Sequence, residues 1–221
     1  MKISKYNSFY YQGSASTLLT GLYAAYNYEN NVLDLSGNGR NATVVNAPTY
    51  TTGQFSQAIS LNGTNQYLYT GTNSDFLFGS GDFTISIWVK KTAPLTTKYL
   101  IMKGNGFGAS GEAFSCYFAS GKLNYFLYTN AGNYNKISTF ILDSNWHNII
   151  LTRESNFYRA YYDGVFDSEV AVSGTMNTVA HPYYHTFNII NFDGQLDCHC
   201  VWNRALTATE KTALQTAQYP F

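Results

Sequence analysis

From Gly21 onward the chain reads as short stretches in which apolar and polar residues alternate. Residues 83–90 are the clearest case. Phe83, Ile85, Ile87 and Val89 point one way, and Thr84, Ser86, Trp88 and Lys90 the other. A period of two predicts a half-buried β-strand. The same reading predicts strands at 22–28, 42–46, 57–61, 66–70, 98–103, 114–119, 122–129, 136–142, 147–153, 157–162, 166–172, 185–192 and 195–202. Turn residues punctuate them: Asn62-Gly63, Gly79-Ser80-Gly81, Ser120-Gly121, Asp163-Gly164 and Asp193-Gly194. Asp163-Gly164 has the composition of a two-residue hairpin turn. One helix is predicted. Thr207 is its N-cap, Glu210 completes a capping box, and Ala208 to Gln218 carries good helix formers. Residues 1–20 lack periodicity and read as an N-terminal arm, leaving 21–221 as the folded domain. Many short strands without intervening helices predict an all-β sandwich or jelly roll of antiparallel sheets, with one short C-terminal helix.

Composition sharpens the picture. A length of 221 residues suits one domain. Thirteen basic and thirteen acidic residues cancel, so there is no basic footprint for nucleic acid or for an anionic membrane. Charged residues are 12%, about half the usual share, so Asn, Ser, Thr, Gly and Tyr must build the surface. Such groups hydrogen-bond sugars and protein partners without desolvating an ion. Twenty tyrosines and fifteen phenylalanines exclude a disordered chain. The three cysteines, Cys116, Cys198 and Cys200, are an odd count that speaks against a closed disulfide framework. On a regular strand Cys198 and Cys200 share a face, with His199 opposite. The opening Met1-Lys2-Ile3-Ser4-Lys5-Tyr6 lacks the apolar core of a secretory signal. The expectation is synthesis in a cytoplasm and delivery by another route, such as release within a virus particle.

Candidate chemistry is sparse. Asp34-Leu35-Ser36-Gly37-Asn38-Gly39 presents oxygens at alternate positions, like the first half of a calcium loop. Val45 stands where a bidentate glutamate belongs, so it is not an EF-hand. A Ca2+ site through Asp34 and Asn38 needs a distant carboxylate, with Asp197 or Asp193 as candidates; the other reading is an Asx turn. Gly106-Phe107-Gly108-Ala109-Ser110-Gly111 matches a dinucleotide fingerprint, but a strand follows where a helix is required. His181 and His185 lie roughly 13 Å apart on a strand, too far for one metal. The five glutamates form no closely spaced acid pair for glycoside hydrolysis. Neither G-x-S-x-G nor H-E-x-x-H occurs. The expectation is therefore a protein that is not an enzyme. Trp88, Tyr125 and Tyr161 are the candidate carbohydrate platforms, flat rings against which a pyranose could stack.

Seven stretches carry a resemblance. They are Tyr26 to Val45, Gln57 to Gly63, Phe83 to Lys90, Trp146 to Arg153, Tyr162-Asp163-Gly164, Gly194 to Asp197, and Val201 to Thr207. In order and spacing, over about residues 21 to 215, they resemble the laminin-G-like, concanavalin A-like lectin/glucanase family. The resemblance implies a jelly roll of two curved antiparallel sheets, and binding of glycans or proteins rather than catalysis, often near a calcium ion. One departure stands out: Cys198, His199 and Cys200 occupy positions where the family carries Glu-Val-Arg. The family occurs in bacterial surface proteins, polysaccharide-degrading enzymes and bacteriophage virion proteins. The combined expectation is a lectin-like module on a virion surface, as a head-decoration or fibre protein binding glycans weakly and multivalently. Its arm would anchor it to a capsid or other virion protein, with self-association into a homo-oligomer. The alternatives are a purely structural decoration protein with a protein partner, and an extracellular cellular adhesin.

Overall fold

The computed structural model describes residues 15–71, 74–92, 97–106, 111–187 and 190–216. The strands in chain order are β1 (Leu22–Tyr26), β2 (Ala42–Val45), β3 (Thr49–Thr52), β4 (Gln57–Asn62), β5 (Tyr67–Thr70), β6 (Phe83–Lys91), β7 (Lys98–Gly104) and β8 (Glu112–Ala119). Then come β9 (Lys122–Thr129), β10 (Gly132–Ile141), β11 (His147–Glu154), β12 (Phe157–Tyr162), β13 (Val165–Ala171), β14 (Tyr183–Tyr184) and β15 (Asp193–Trp202). Two short helices flank them, α1 (Ala15–Leu19) and α2 (Ala208–Ala213). The strands form two antiparallel sheets. One runs β13-β12-β11-β6-β15-β4-β3, with β1 also paired to β15; the other runs β10-β9-β8-β7-β14-β5-β2. No described helix is long and apolar enough to cross a membrane.

The alternation read from the sequence places the interior. Phe83, Ile85, Ile87 and Val89 of β6 meet Phe114, Cys116 and Phe118 of β8 and Leu123, Tyr125 and Leu127 of β9 between the sheets. The Asp163-Gly164 turn joins β12 to β13 with both residues at positive φ, as a primed hairpin turn requires. The capping box at Thr207 is formed, with each partner bonding the other's backbone N–H. The helix it opens is shorter than expected; residues 217–221 lie outside the described ones.

Three expectations are corrected. Strand β3 was not foreseen, because Thr49-Tyr50-Thr51-Thr52 carries no alternation. A strand over 185–192 is replaced by the two-residue β14 at 183–184; His185 just beyond it still donates its backbone N–H to the Leu68 carbonyl of β5, while its side chain enters a buried polar cluster. The face-sharing of Cys198 and Cys200 is broken by a bulge. Cys198 takes φ +42° and stays out of the pairing with β6. Leu196 and Val201 consequently both face the interior, while Cys200 and Trp202 face out.

The outward side of the eight-stranded sheet is covered. Leu18 of α1, Leu206, and Leu214 at the end of α2 close over Leu22, Ile150, Cys200 and Trp202. The Trp202 indole donates to the Leu18 carbonyl at 2.7 Å, and Arg204 donates to the carbonyls of Thr17 and Thr20 at 2.7 Å each. Of the expected arm over 1–20, residues 1–14 lie outside the described ones, and the remainder is clasped against this face.

Candidate functional site

The three sugar platforms expected from sequence occupy three separate environments. Tyr125 lies wholly inside the sandwich, its hydroxyl 3.1 Å from Ser168 Oγ, and has no exposed face to offer a ring. Trp88 is 6% exposed. Its indole N–H donates to the Leu214 carbonyl at 3.3 Å and Phe55 packs edge-on, so the chain after α2 covers it. Tyr161 is half-buried beside α2, with the Lys211 ammonium over its ring at 4.2 Å. Trp88 and Tyr125 are therefore packing residues, and the three do not converge on one ligand.

The Asp34 loop is held by its own hydrogen bonds. Asp34 Oδ1 accepts from Ala25 N and Ser36 N at 3.0 Å each, and Oδ2 from Ser36 Oγ at 2.9 Å and Arg40 N at 2.8 Å. Asn38 Nδ2 donates to the carbonyls of Leu22 and Tyr23. The expected third ligand, Asp197, is buried under the Gly53–Gln57 turn, with Oδ2 accepting from Phe55 N at 2.9 Å. Burial pushes its carboxyl up to about 6. No group of three or more His, Cys, Asp or Glu side chains among the described residues is placed to hold a metal.

What sequence reasoning missed is the outward face of the seven-stranded sheet. Cross-strand register sets Thr43, Tyr69, Tyr184, Met102, Ser115, Phe126 and Asn135 in one row across all seven strands. Tyr99, Tyr117, Asn124 and Ile137 form a second row. The rings touch in series. Tyr67, Tyr69 and Tyr184 form a triad with centroids 6.3 Å apart. Phe187 joins Tyr184 at 5.4 Å to Tyr99 at 5.5 Å. Tyr99 meets Tyr117 at 5.0 Å, Tyr117 stacks on Phe126 at 5.6 Å, and Phe126 on Tyr128 at 6.0 Å. The track therefore runs from β5 to β9, four strand spacings or about 19 Å. Phe187 and Tyr128 are buried, and the other six rings are half-exposed. Both described helices pack on the other sheet, so this face carries neither.

A carboxylate lies in its floor. Glu112, 2% exposed, accepts from Ser115 Oγ at 2.7 Å. Burial first, and then the negative charge of Glu112, raises the hydroxyl of Tyr99 to about 12 and lifts those of Tyr117 and Tyr128. The sequence signal for this face was present as aromatics at every second position, in Tyr67-x-Tyr69 and Phe126-x-Tyr128. Tyr125 beside them masks it, because β9 carries aromatics on both faces.

A smaller cleft of about 390 Å³ opens where β10 meets β13, lined by Thr139, Phe140, Tyr162, Asp163, Val165, Phe166 and Asp167. Its acids are engaged. Asp167 binds the N–H groups of Thr139 and Phe140, and Asp163 binds His147 at 2.8 Å. Val165 and Phe166 beside it are 69% and 51% exposed.

Comparison with known proteins agrees with this architecture. Residues 62–210 match the family model described as the concanavalin A-like lectin/glucanases superfamily. No curated protein sequence matches the chain. Among solved structures, the chain is similar to the binding domain of Paraclostridial Mosquitocidal Protein 1, with TM-score 0.74 and 22% identity, covering 90% of this chain and 52% of that one. Domain 4 of AbnA, an extracellular GH43 arabinanase from Geobacillus stearothermophilus solved with arabinotriose, gives TM-score 0.72 and 17% identity over 88% of this chain and 98% of that one. The binding domain of Botulinum Neurotoxin DC, solved with SialylT, gives 0.70 and 15% over 90% and 52%. The chain thus spans about half of the toxin binding domains it resembles.

Proposed function

This chain belongs to the concanavalin A-like lectin/glucanase superfamily, and from that premise we propose that it is a non-catalytic glycan-binding module working through the outward face of its seven-stranded sheet. The observation that carries this reading is the track of touching rings from Tyr67 to Tyr128, six of its eight rings half-exposed. Aromatic faces cover the C–H side of a sugar ring, while tyrosine hydroxyls and the exposed Asn133 and Asn135 of β10 meet its hydroxyls. The similar arabinanase domain, solved with arabinotriose, and the Botulinum Neurotoxin DC binding domain, solved with SialylT, support the same reading. Such a shallow face supplies about −4 kcal/mol per site, a millimolar affinity. Display in many copies, as on a virion surface, raises it by avidity. Detection of the protein in purified particles by mass spectrometry tests that setting.

Tyr99→Ala combined with Tyr117→Ala removes the middle of the track. Multivalently displayed protein should then lose about tenfold or more in glycan-array binding, at least 1.4 kcal/mol, with its melting transition intact. Unchanged binding sinks this face as the site. A second reading, a structural protein with a protein partner, draws on the exposed Val165 and Phe166 at the β10–β13 cleft and the exposed Ile137 and Ile141 of β10. It gains if no glycan binds.

A further inference from the structure

We propose that His147 is a proton-operated clasp: charged, it ties the loop after β10 to the turn after β12 and fixes one wall of the β10–β13 cleft, and on losing its proton it releases the loop. The device is independent of the glycan-binding face. His147 opens β11 with a carboxylate on each ring nitrogen. Nδ1 lies 2.8 Å from Asp163 Oδ2, and Nε2 lies 2.9 Å from Asp143 Oδ1. An ionised carboxylate only accepts, so both nitrogens must donate, and an imidazole with two N–H groups is positively charged. The geometry is therefore that of the charged form. Among the described residues, no ion pair links either aspartate to a second cation. The other neighbours of the ring are uncharged: Phe140 of β10 stands edge-on at 4.8 Å, and Val89 is the partner of His147 on β6. Asp167, which also lines the cleft, is bonded to the N–H groups of Thr139 and Phe140. Burial disfavours the imidazolium, and the bonds to Asp163 and Asp143 outweigh it, so its proton leaves above the ordinary 6.5.

A neutral imidazole has one N–H and can hold one of its two partners. The turn after β12 is the partner that stays. Asp163 Oδ1 accepts from Asn148 N at 2.8 Å, and Asp163 N donates to the Asn148 carbonyl at 2.9 Å, which fixes Asp163 beside β11 in either charge state. Asp143 is tied less firmly. Its other bonds go to Asn145, two residues on in the same loop, and its side chain is 57% exposed. Once Nε2 turns a lone pair toward it, the Asp143 carboxylate swings into water. The clasp reaches the cleft through two lining residues. Asp163 is bonded to the ring, and Phe140 touches the ring and stacks on Tyr162 at 3.8 Å. Release of Asp143 leaves the imidazole held on one side alone, free to tilt against Phe140. An occupant of the cleft then meets a different wall above and below the pH of release.

Trp146 precedes His147 in the chain and is half-buried, while Trp88 and Trp202 are 6% and 0% exposed, so acrylamide quenching of tryptophan reports this loop. Two titrations of the full chain across neutral pH test the clasp: the His147 ring signal by NMR, and lifetime-corrected quenching. Wild type should give a His147 midpoint above 6.5 and a rise in quenching with the same midpoint. His147→Gln assigns the ring signal and should abolish the quenching step. Asp143→Ala should lower the midpoint by about half a unit or more, as loss of a nearby opposite charge does, and leave the quenching high at every pH. The wild-type pair of titrations decides by itself should a variant fold poorly. A midpoint at or below 6.5 overturns the doubly bonded imidazolium and the clasp with it. A midpoint above 6.5 with no change in quenching leaves a charged histidine that moves nothing, which also overturns the proposal. A quenching step that survives in Asp143→Ala assigns the movement elsewhere and overturns it as well.

Discussion

Asp34 shows how one side chain answers a question that sequence leaves open. Its spacing with Ser36 and Asn38 is equally that of a half calcium loop and of an Asx turn. The structure gives its oxygens four hydrogen bonds from Ala25, Ser36 and Arg40. A carboxylate with four donors has no lone pair in need of an ion. Asp34→Ala should therefore cost about 2 kcal/mol, several weak bonds of a half-exposed group, seen as a melting point about 4–8 °C lower. Excess Ca2+ against chelator should move the wild-type melting point by less than about 1 °C, since only an ion that binds the native state stabilises it. A rise of several degrees with Ca2+ would restore the ion. The same limit applies to Trp88. Alternation separates one strand face from the other, but not a face left open from one that α2 covers.

At the scale of the element, β15 is the instructive strand. Its apolar pattern predicts a strand, correctly, but the expected facing of Cys198, His199 and Cys200 assumes an unbroken period of two. The bulge supplies one extra residue. Asp197 pairs with Trp88 and Cys200 with Ser86, so two intervening residues of β15 face one of β6. This turns His199 inward to Tyr183, at 2.7 Å, and Trp202 outward to Leu18. Nothing in composition marks a bulge, and cysteine is an unusual residue at φ +42°. Deleting Cys198 should leave a regular ladder in which every other residue of β15 keeps its face. The variant should fold, with a melting point lowered by no more than about 8 °C. Deleting Ile150 from the regular strand β11 reverses the facing of every residue beyond it and should abolish the cooperative transition. Equal damage from the two deletions would show that the bulge residue is itself needed.

At the scale of the whole molecule, two sets of buried titratable groups act on stability in opposite senses. Between the sheets, His185 and His199 are fully buried with their rings 4.7 Å apart, tied to Tyr28, Tyr183 and Thr70. Burial holds both imidazoles neutral, His199 down at about 3 and His185 well below its ordinary 6.5. The unfolded chain takes up their protons below about pH 6.5 and the native state does not, so stability falls as pH falls, by about 1.4 kcal/mol per pH unit for each. Asp197 works the other way. Raised to about 6 from 3.8, it holds a proton in the native state that the unfolded chain has released, so its contribution grows as pH falls from about 6 towards 4. Other shifted groups act elsewhere. Asp167 and Glu210 are lowered carboxyls whose stabilisation is lost only below the ordinary carboxylate range. His147, raised by Asp163 and Asp143 against its burial, is protonated in both states below about pH 6 and adds no slope there. Between about pH 6 and 4.5 the balance is two imidazoles against one carboxyl, a net loss of about 1.4 kcal/mol per pH unit. Asp197→Asn keeps an acceptor for Phe55 N but cannot titrate, so its loss over the same window should steepen to about 2.7 kcal/mol per pH unit. Urea unfolding of both proteins at a series of pH values measures the two slopes. A flat wild-type curve would mean that the histidines are reached by protons in the native state, and parallel curves that Asp197 is ionised throughout. The sandwich and its apolar interior were legible as alternation along single strands. This pairing of opposed groups was not, because His185 and His199 meet their partners only when β15 faces β5 and β14 across the sandwich, and Asp197 meets Phe55 only when the turn between β3 and β4 folds over β15.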